Sequence, residues 1–474
     1  MSKLIALKIQ DLFVTVQSGG AQLIKNLSLS LAAGERLTFV GESGSGKSIL
    51  AQAIMGTLPS DLRASGSLQV WGVDTYGERQ RTQSMWGKQL IMLPQEPWLS
   101  LNPLMRVQPQ VAEAAHYAGR QPWPQAQGQA RSALAKLGLT HACQQWPHQI
   151  SGGMAQRTAL AAAQLCGAQL LIADEPTKGL DTAMRDQVAQ MLLAQTTDGR
   201  ALLTITHDLA LAGQLGGQIA VMLDGCIVEL GAAEQVLHSP QHAYTQALVA
   251  AQPAQWPALS SPLSPALMAQ DSVIEGQGLA KAYGQRILFS QAQIALRPCE
   301  VVSIAGPSGC GKTTLGNLLL GLTRADSGQV VRRTGSQRHQ FQKLYQDPPA
   351  AFAPSITLQK SLHDVIALHR LDANAIAPLM QKLKLSPALL ARKPAQISGG
   401  ELQRFAMLRL LLLKPIFIFA DEPTSRLDPI TQLHTMQLLC NTAAEQGCAV
   451  LLVTHDADIA AKVAHRVSTV EFSA

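Results

Sequence analysis

Two stretches of the 474-residue chain have the residue types and spacing to hold phosphate groups. Gly41-Glu42-Ser43-Gly44-Ser45-Gly46-Lys47-Ser48 and Gly306-Pro307-Ser308-Gly309-Cys310-Gly311-Lys312-Thr313 both fit GxxxxGK[ST]. Each follows a short apolar run, LTFV or VVSIA, and precedes an apolar helical stretch. In that setting the glycines let backbone N–H groups wrap phosphates at a helix N-terminus. Lys47 and Lys312 would reach β/γ-phosphates, and the hydroxyls of Ser48 and Thr313 would ligate Mg²⁺. Carboxylates come from LLIADE (170–175) and FIFADE (417–422), apolar strands that end in Asp-Glu. Asp174 and Asp421 are placed to hold Mg²⁺ through water, and Glu175 and Glu422 to polarise an attacking water as general bases. Ser151-Gly152-Gly153 and Ser398-Gly399-Gly400 each open a helical run, which makes either a plain helix cap or a further anion site.

The elements that must carry these residues occur twice. PQEP (94–97) recurs as YQDP (345–348), QISGGMAQR (149–157) as QISGGELQR (396–404), and TITHD (204–208) as LVTHD (452–456), in the same order. The phosphate loops lie 265 residues apart, whereas the Ser-Gly-Gly and Asp-Glu motifs lie 247 apart. The first half thus carries 18 extra residues between its phosphate loop and Ser151, 14 of them before Gln95. Surface loops around 58–88 are the expected place for them. Short apolar runs alternate with helical stretches in both halves, the βαβ rhythm of a mainly parallel sheet covered by helices. The division expected is a first domain over 1–250, a Pro/Ala-rich uncharged linker over 251–270 and a second domain over 271–474.

Composition narrows the class. The chain is 47% hydrophobic and 15% charged, enough to bury large cores and too apolar for wholesale disorder. Its 38 Lys+Arg against 32 Asp+Glu give +6, a mild excess that does not by itself point to nucleic acid but suits an anionic membrane surface. Seven scattered cysteines form no CxxC pair, which argues against a disulfide framework or zinc cluster and for a reducing compartment. The most apolar stretch, 405–420, is broken by Arg409, Lys414 and Pro415 and falls short of the roughly 20 apolar residues of a spanning helix. The chain is therefore expected to be soluble, with membrane work left to a partner.

On these motifs each half resembles the ATP-binding cassette of ABC transporters, and the resemblance covers nearly the whole chain. The set comprises Walker A, the Q-loop, the SGG signature, Walker B, the D-loop and the His switch. It implies an α/β fold with two P-loop cassettes. Each would have a RecA-like, mainly parallel sheet core, an antiparallel β subdomain and a helical signature subdomain. It also implies that the cassettes pair head to tail around two ATP molecules. One site would join the first Walker A to Ser398-Gly399-Gly400, the other Gly306–Thr313 to Ser151-Gly152-Gly153. By the same resemblance Gln95 and Gln346 sense Mg²⁺ and the permease, while His207 and His455 contact the γ-phosphate and the attacking water. The implied partners are two transmembrane permease subunits and, through them, a solute-binding protein, at the cytoplasmic face of the membrane.

PQEPWLSLNP (94–103), SGGMAQR and the tail HSPQHAYTQAL (238–248) resemble the oligopeptide, dipeptide and nickel importer branch, with Ala155 and Ala243 departing from its pattern. YQDPPAAFAP (345–354) is a looser copy of the second ATPase of such systems, so the chain resembles two ATPase subunits fused. By the same resemblance the second half, whose His switch lies close to Ala474, is expected to lack the usual tail. The expected function is the energy-coupling ATPase of an importer for a peptide, nickel or a metal–chelator complex. The alternatives are a sugar-type tandem ATPase or, with a short uncharged linker against it, a ribosome-bound translation factor. By the same resemblance the aromatic that stacks on adenine would be Tyr283 in the second half, whereas Val16 takes the aligned position in the first, with Phe13 facing the other way along a strand. The D-loops differ (Lys178-Gly179-Leu180-Asp181; Ser425-Arg426-Leu427-Asp428), and Cys310 places a thiol in the second phosphate loop.

Overall fold

Alternation of buried and exposed side chains starts each half as antiparallel strand, and continuous apolar runs then switch it to parallel sheet. The computed structural model describes residues 4–17, 19–75, 79–97, 100–177, 180, 182–196, 199–306, 309–425, 427–468 and 470. Contacts divide the chain into Met1–Val249 and Ala250–Ala474.

In the first unit β1 (Ile5–Val16) pairs with β2 (Gln22–Ala32) and β4 (Leu62–Val70), with β5 (Val73–Asp74) outermost, all antiparallel. The second sheet holds β3 (Arg36–Val40), β6 (Leu90–Leu93), β7 (Leu170–Asp174), β8 (Ala201–Ile205), β9 (Gln218–Leu223) and β10 (Cys226–Ala232). Its order is β10-β9-β3-β8-β7-β6, parallel except for the β9–β10 hairpin. All five residues of β7 and of β8 are buried, as strands covered on both faces must be. A separate apolar cluster joins the helices Val107–Glu113 and Trp123–Lys136 to Ala161 of Gly152–Cys166, and this is the helical subdomain.

The second unit repeats the plan with fewer strands. β11 (Ile274–Tyr283), β12 (Arg286–Leu296) and β14 (Ser327–Arg332) make the antiparallel sheet. β13 (Val301–Ile304), β15 (Phe341–Leu344), β16 (Phe417–Asp421), β17 (Ala449–Val453) and β18 (Arg466–Ser468) make the parallel one, in the order β15-β16-β17-β13-β18. Helices Leu358–His369, Ile376–Lys382 and Gly399–Leu412 contribute to one core with β16 and β17.

Two features differ from a plain loop reading. Much of the extra length before Gln95 is ordered: β5 and the helix Arg79–Met85 lie there, and Met85 joins the main core. Burying Met85 removes apolar surface from water that a loop would leave exposed. The Pro-rich segment after residue 250 packs on the second unit. Trp256 is 2% exposed within its core, and the N–H of Leu259 donates to the carbonyl of Lys462 at 2.7 Å. Among the described residues no helix is long and apolar enough to cross a membrane.

Candidate functional site

The C-terminal ends of the parallel strands gather the predicted phosphate loops, Asp-Glu pairs and histidines, where open α/β sheets bind ligands. In the first unit β3 runs into the phosphate loop, which leads to the helix Lys47–Met55. Gly41 has φ 148° and a Cβ there would run into the carbonyl of Met222; Gly46, the left-handed N-cap at φ 102°, would put a Cβ 2.8 Å from the carbonyl of Leu23. Both positions therefore demand glycine. The Lys47 ammonium, itself buried, donates to the carbonyls of Gly41 (2.8 Å) and Glu42 (2.7 Å) and to Ser45 Oγ (3.1 Å). Lys312 likewise donates to the carbonyl of Gly306 at 2.7 Å. Of the second loop, Pro307 and Ser308 lie outside the described residues, as do Lys178, Gly179, Asp181 and Arg426 of the D-loops.

Strand β8 separates β3 from β7, so the Asp-Glu pair at the end of β7 reaches the phosphate loop. Ser48 Oγ donates to Asp174 Oδ1 at 3.3 Å, and Thr313 Oγ1 to Asp421 Oδ1 at 2.9 Å. A hydroxyl beside a carboxylate is a hard oxygen pair that suits Mg²⁺. These residues therefore fit the ion.

The residue after each Asp takes a left-handed conformation: φ is 51° at Glu175 and 45° at Glu422. Non-glycine residues seldom adopt it, and here it coincides with an N–H bonded to the neighbouring strand, Glu175 to the carbonyl of Ile205 (2.8 Å) and Glu422 to that of Val453 (2.9 Å). Each carboxylate meets the histidine after the adjacent strand. His207 Nδ1 lies 2.9 Å from Glu175 Oε2, while His455 Nε2 contacts Glu422 Oε1. The histidine turns are fixed by the next residue: Asp208 caps the helix Leu209–Leu215 and Asp456 caps Ala457–Val463. In the second unit Gln346 Nε2 also donates to Glu422 Oε2 at 2.7 Å; Gln95 is exposed at the end of the corresponding edge strand.

The Ser-Gly-Gly motifs are helix caps in both units. Ser151 Oγ accepts from the N–H of Met154, and Ser398 Oγ from that of Glu401. Gly152 and Gly399 are the first helical residues. Gly153 and Gly400 sit close to Leu180 and Thr431, and added Cβ atoms would come within 3.1 and 3.2 Å of them. Each signature helix is tied to the Asp-Glu-Pro turn of its own unit, since Gln156 donates to the carbonyl of Pro176 (2.9 Å) and Gln403 to that of Pro423 (2.8 Å). Glu401 reaches back to the N–H of Ser398 at 3.0 Å, a capping box that Met154 cannot make.

Val16 and Tyr283 occupy matching places, the last residues of β1 and β11. Tyr283 is exposed, with the Lys281 ammonium 5.3 Å from its ring centroid. Cys310 is buried. Lys343 and Arg286 lie near the loops and no sequence motif singles them out, whereas Tyr244, within the tail motif 238–248, reaches the first loop at Glu42. The Arg286 guanidinium donates to the carbonyl of Gly309 at 3.1 Å.

Comparison with known proteins agrees with this geometry. The family described as "ABC transporter" matches residues 24–178 and 289–425. The peptidoglycan transport ATP-binding protein YejF of Agrobacterium fabrum is 32% identical over 480 residues, spanning 95% of this chain and 88% of that protein. The glutathione import ATP-binding protein GsiA of Salmonella choleraesuis is 31% identical, spanning 98% and 84%. Among solved structures, the archaeal ribosome recycling factor aABCE1 in complex with the ribosomal stalk protein aP1 superimposes with a TM-score of 0.65, over 96% of this chain and 86% of that one. At 19% identity that likeness bears on the fold alone. With both cassettes matched and both phosphate loops set against their Asp-Glu pairs, the chain belongs to the ABC transporter family, as a tandem ATP-binding ATPase.

Proposed function

We propose that the chain is the energy-coupling ATPase of an importer for a small solute of the peptide type, and that its two cassettes close head to tail over two ATP molecules. The observation that carries this reading is the duplicated arrangement of lysine, hydroxyl, Asp, Glu and His around both phosphate loops. The names of the relatives, a peptidoglycan transporter and a glutathione importer, support the solute class. A nickel or metal–chelator cargo would use the same machinery.

In each site the lysine ammonium and the loop N–H groups hold the β- and γ-phosphates. Mg²⁺ bound at Ser48 and Asp174, or Thr313 and Asp421, would offset phosphate charge. Glu175 or Glu422 accepts the proton of a water whose oxygen attacks the γ-phosphorus; the bond to the bridging oxygen breaks and ADP leaves with its electron pair. His207 and His455 keep those carboxylates oriented and contact the γ-phosphate. Ser151-Gly152-Gly153 and Ser398-Gly399-Gly400 present helix N-termini to the nucleotide of the opposite cassette. Closing and opening of the pair would move two permease subunits at the cytoplasmic face of the membrane.

Affinity purification of the tagged chain from detergent-solubilised membranes tests the reading. Two integral membrane proteins should co-purify in stoichiometric amounts. Co-sedimentation with ribosomes instead, without membrane partners, would contradict it.

A further inference from the structure

Strand β15 (FQKL), at the edge of the second parallel sheet, places a lysine next to the carboxylate assigned to the metal. Lys343 Nζ lies 3.2 Å from Asp421 Oδ2 and donates to Asn317 Oδ1 at 3.1 Å. Thr313 already donates to Oδ1 of the same carboxylate, so both oxygens of Asp421 are engaged. The lysine side chain is 11% exposed and that of Asp421 9%. Two rings enclose the ammonium, with centroids 5.2 Å away at Tyr345 and 5.0 Å at Phe419. Room for Phe419 comes from Gly316 on the phosphate-loop helix, where a Cβ would run into the ring.

The first cassette has none of this box. Counting back from the paired glutamines, Met92 stands where Lys343 does, and Pro94 where Tyr345 does. Counting from the phosphate-loop lysines and the Asp-Glu pairs, Gln52, Ala51 and Ile172 replace Asn317, Gly316 and Phe419. Five of the neighbouring positions thus differ together around a shared Asp.

We propose that Lys343 is a resident cation of the second site that competes with the divalent ion for Asp421, so that the two cassettes differ in their demand for Mg²⁺. An ammonium fixed beside the carboxylate supplies part of the charge that the ion would bring, and it repels the ion in a poorly solvated place. The second site then needs a higher Mg²⁺ concentration to retain nucleotide, while the first responds to Mg²⁺ alone. This rests on the reading of the Asp421 neighbourhood as a nucleotide–Mg²⁺ site.

The test is Mg²⁺-dependent binding of a fluorescent ATP analogue to the full chain, with one site silenced at a time. Lys47→Ala leaves the second site to be read and Lys312→Ala the first. Half-saturating Mg²⁺ should be about tenfold higher for the second site, and Lys343→Met should lower it about tenfold with little change in analogue affinity in EDTA. In the Lys312→Ala background, Met92→Lys should raise it by a similar factor. An unchanged Mg²⁺ midpoint in Lys343→Met overturns the proposal. So does a variant that weakens binding equally with and without Mg²⁺, which is the mark of a packing role. Should Lys343→Met not fold, the Met92→Lys midpoint decides alone. If neither background binds the analogue at any Mg²⁺ concentration, the nucleotide-site reading itself fails, a result distinct from binding without a shift.

Discussion

The backbone N–H of Glu42, in the first phosphate loop, donates a 2.8 Å hydrogen bond to the phenol oxygen of Tyr244, 202 residues further on. Tyr244 belongs to the helix Ala243–Ala250 near the end of the first unit. The chain before it is tied down by Glu229, whose carboxylate accepts from the N–H groups of Gln241 (2.9 Å) and His242 (3.0 Å). The tail thus braces the loop that we propose holds phosphate. Tyr244→Phe removes the acceptor at a cost of about 1 kcal/mol, and ATP affinity at the first site should fall several-fold. The second site should be unaffected. Nucleotide titration of the Lys312→Ala chain, with and without Tyr244→Phe, reads this directly, and equal affinities would show that the bond is incidental.

Adenine recognition should be unequal. Tyr283 offers an exposed ring at the end of β11, and Val16 offers none at the end of β1. Base–aromatic stacking is worth about 1–3 kcal/mol, and each 1.4 kcal/mol is tenfold in affinity. ATP should therefore bind the second site at least several-fold more tightly, when the two are compared in Mg²⁺-free buffer. Tyr283→Val should abolish the difference and Val16→Tyr should narrow it. Equal affinities in the parent chain would show that another group, such as Phe13, serves the first site.

Cys310 takes the place in its loop that Ser45 holds in the first, two residues before the lysine. Ser45 Oγ accepts from Lys47, so Cys310→Ser should retain ATPase activity. Burial makes the thiol slower to react than a surface cysteine, and it raises the pKa of possible rivals, Cys166 to about 11 and Cys440 and Cys448 also upward. An alkylating reagent should inhibit slowly, ATP should protect, and Cys310→Ser should resist. Inhibition of the serine variant at the parent rate would place the reactive thiol elsewhere.

Short contiguous motifs made most of the site legible in the sequence. The phosphate loops, the Asp-Glu pairs and the histidines are local signals, and the sheet order then brings them to one edge. Lys343, by contrast, is a charged residue in an ordinary-looking strand, and its meaning depends on Asp421, which is 78 positions away in the chain. Tyr244 lay within a recognised tail, but nothing local says that it turns back to Glu42. Trp256 was hidden by its proline-rich surroundings, because composition reports stiffness and not the pocket that a single indole fills. The ordered helix Arg79–Met85 is hidden in the same way: an insertion is visible as length, while its packing depends on the core it joins.

We propose that both cassettes hydrolyse ATP, each through its own glutamate. Glu175 and Glu422 share a left-handed backbone, a histidine partner and an Asp facing the phosphate loop. The most direct measurement is steady-state ATP turnover and nucleotide retention in full-length Glu175→Gln and Glu422→Gln chains, assayed with their membrane partners. Each single change should slow hydrolysis at its own site by roughly a hundredfold or more and leave unhydrolysed ATP trapped there. Turnover unchanged from the parent in Glu422→Gln, with no ATP retained, would show that the second site is not catalytic and would contradict the account.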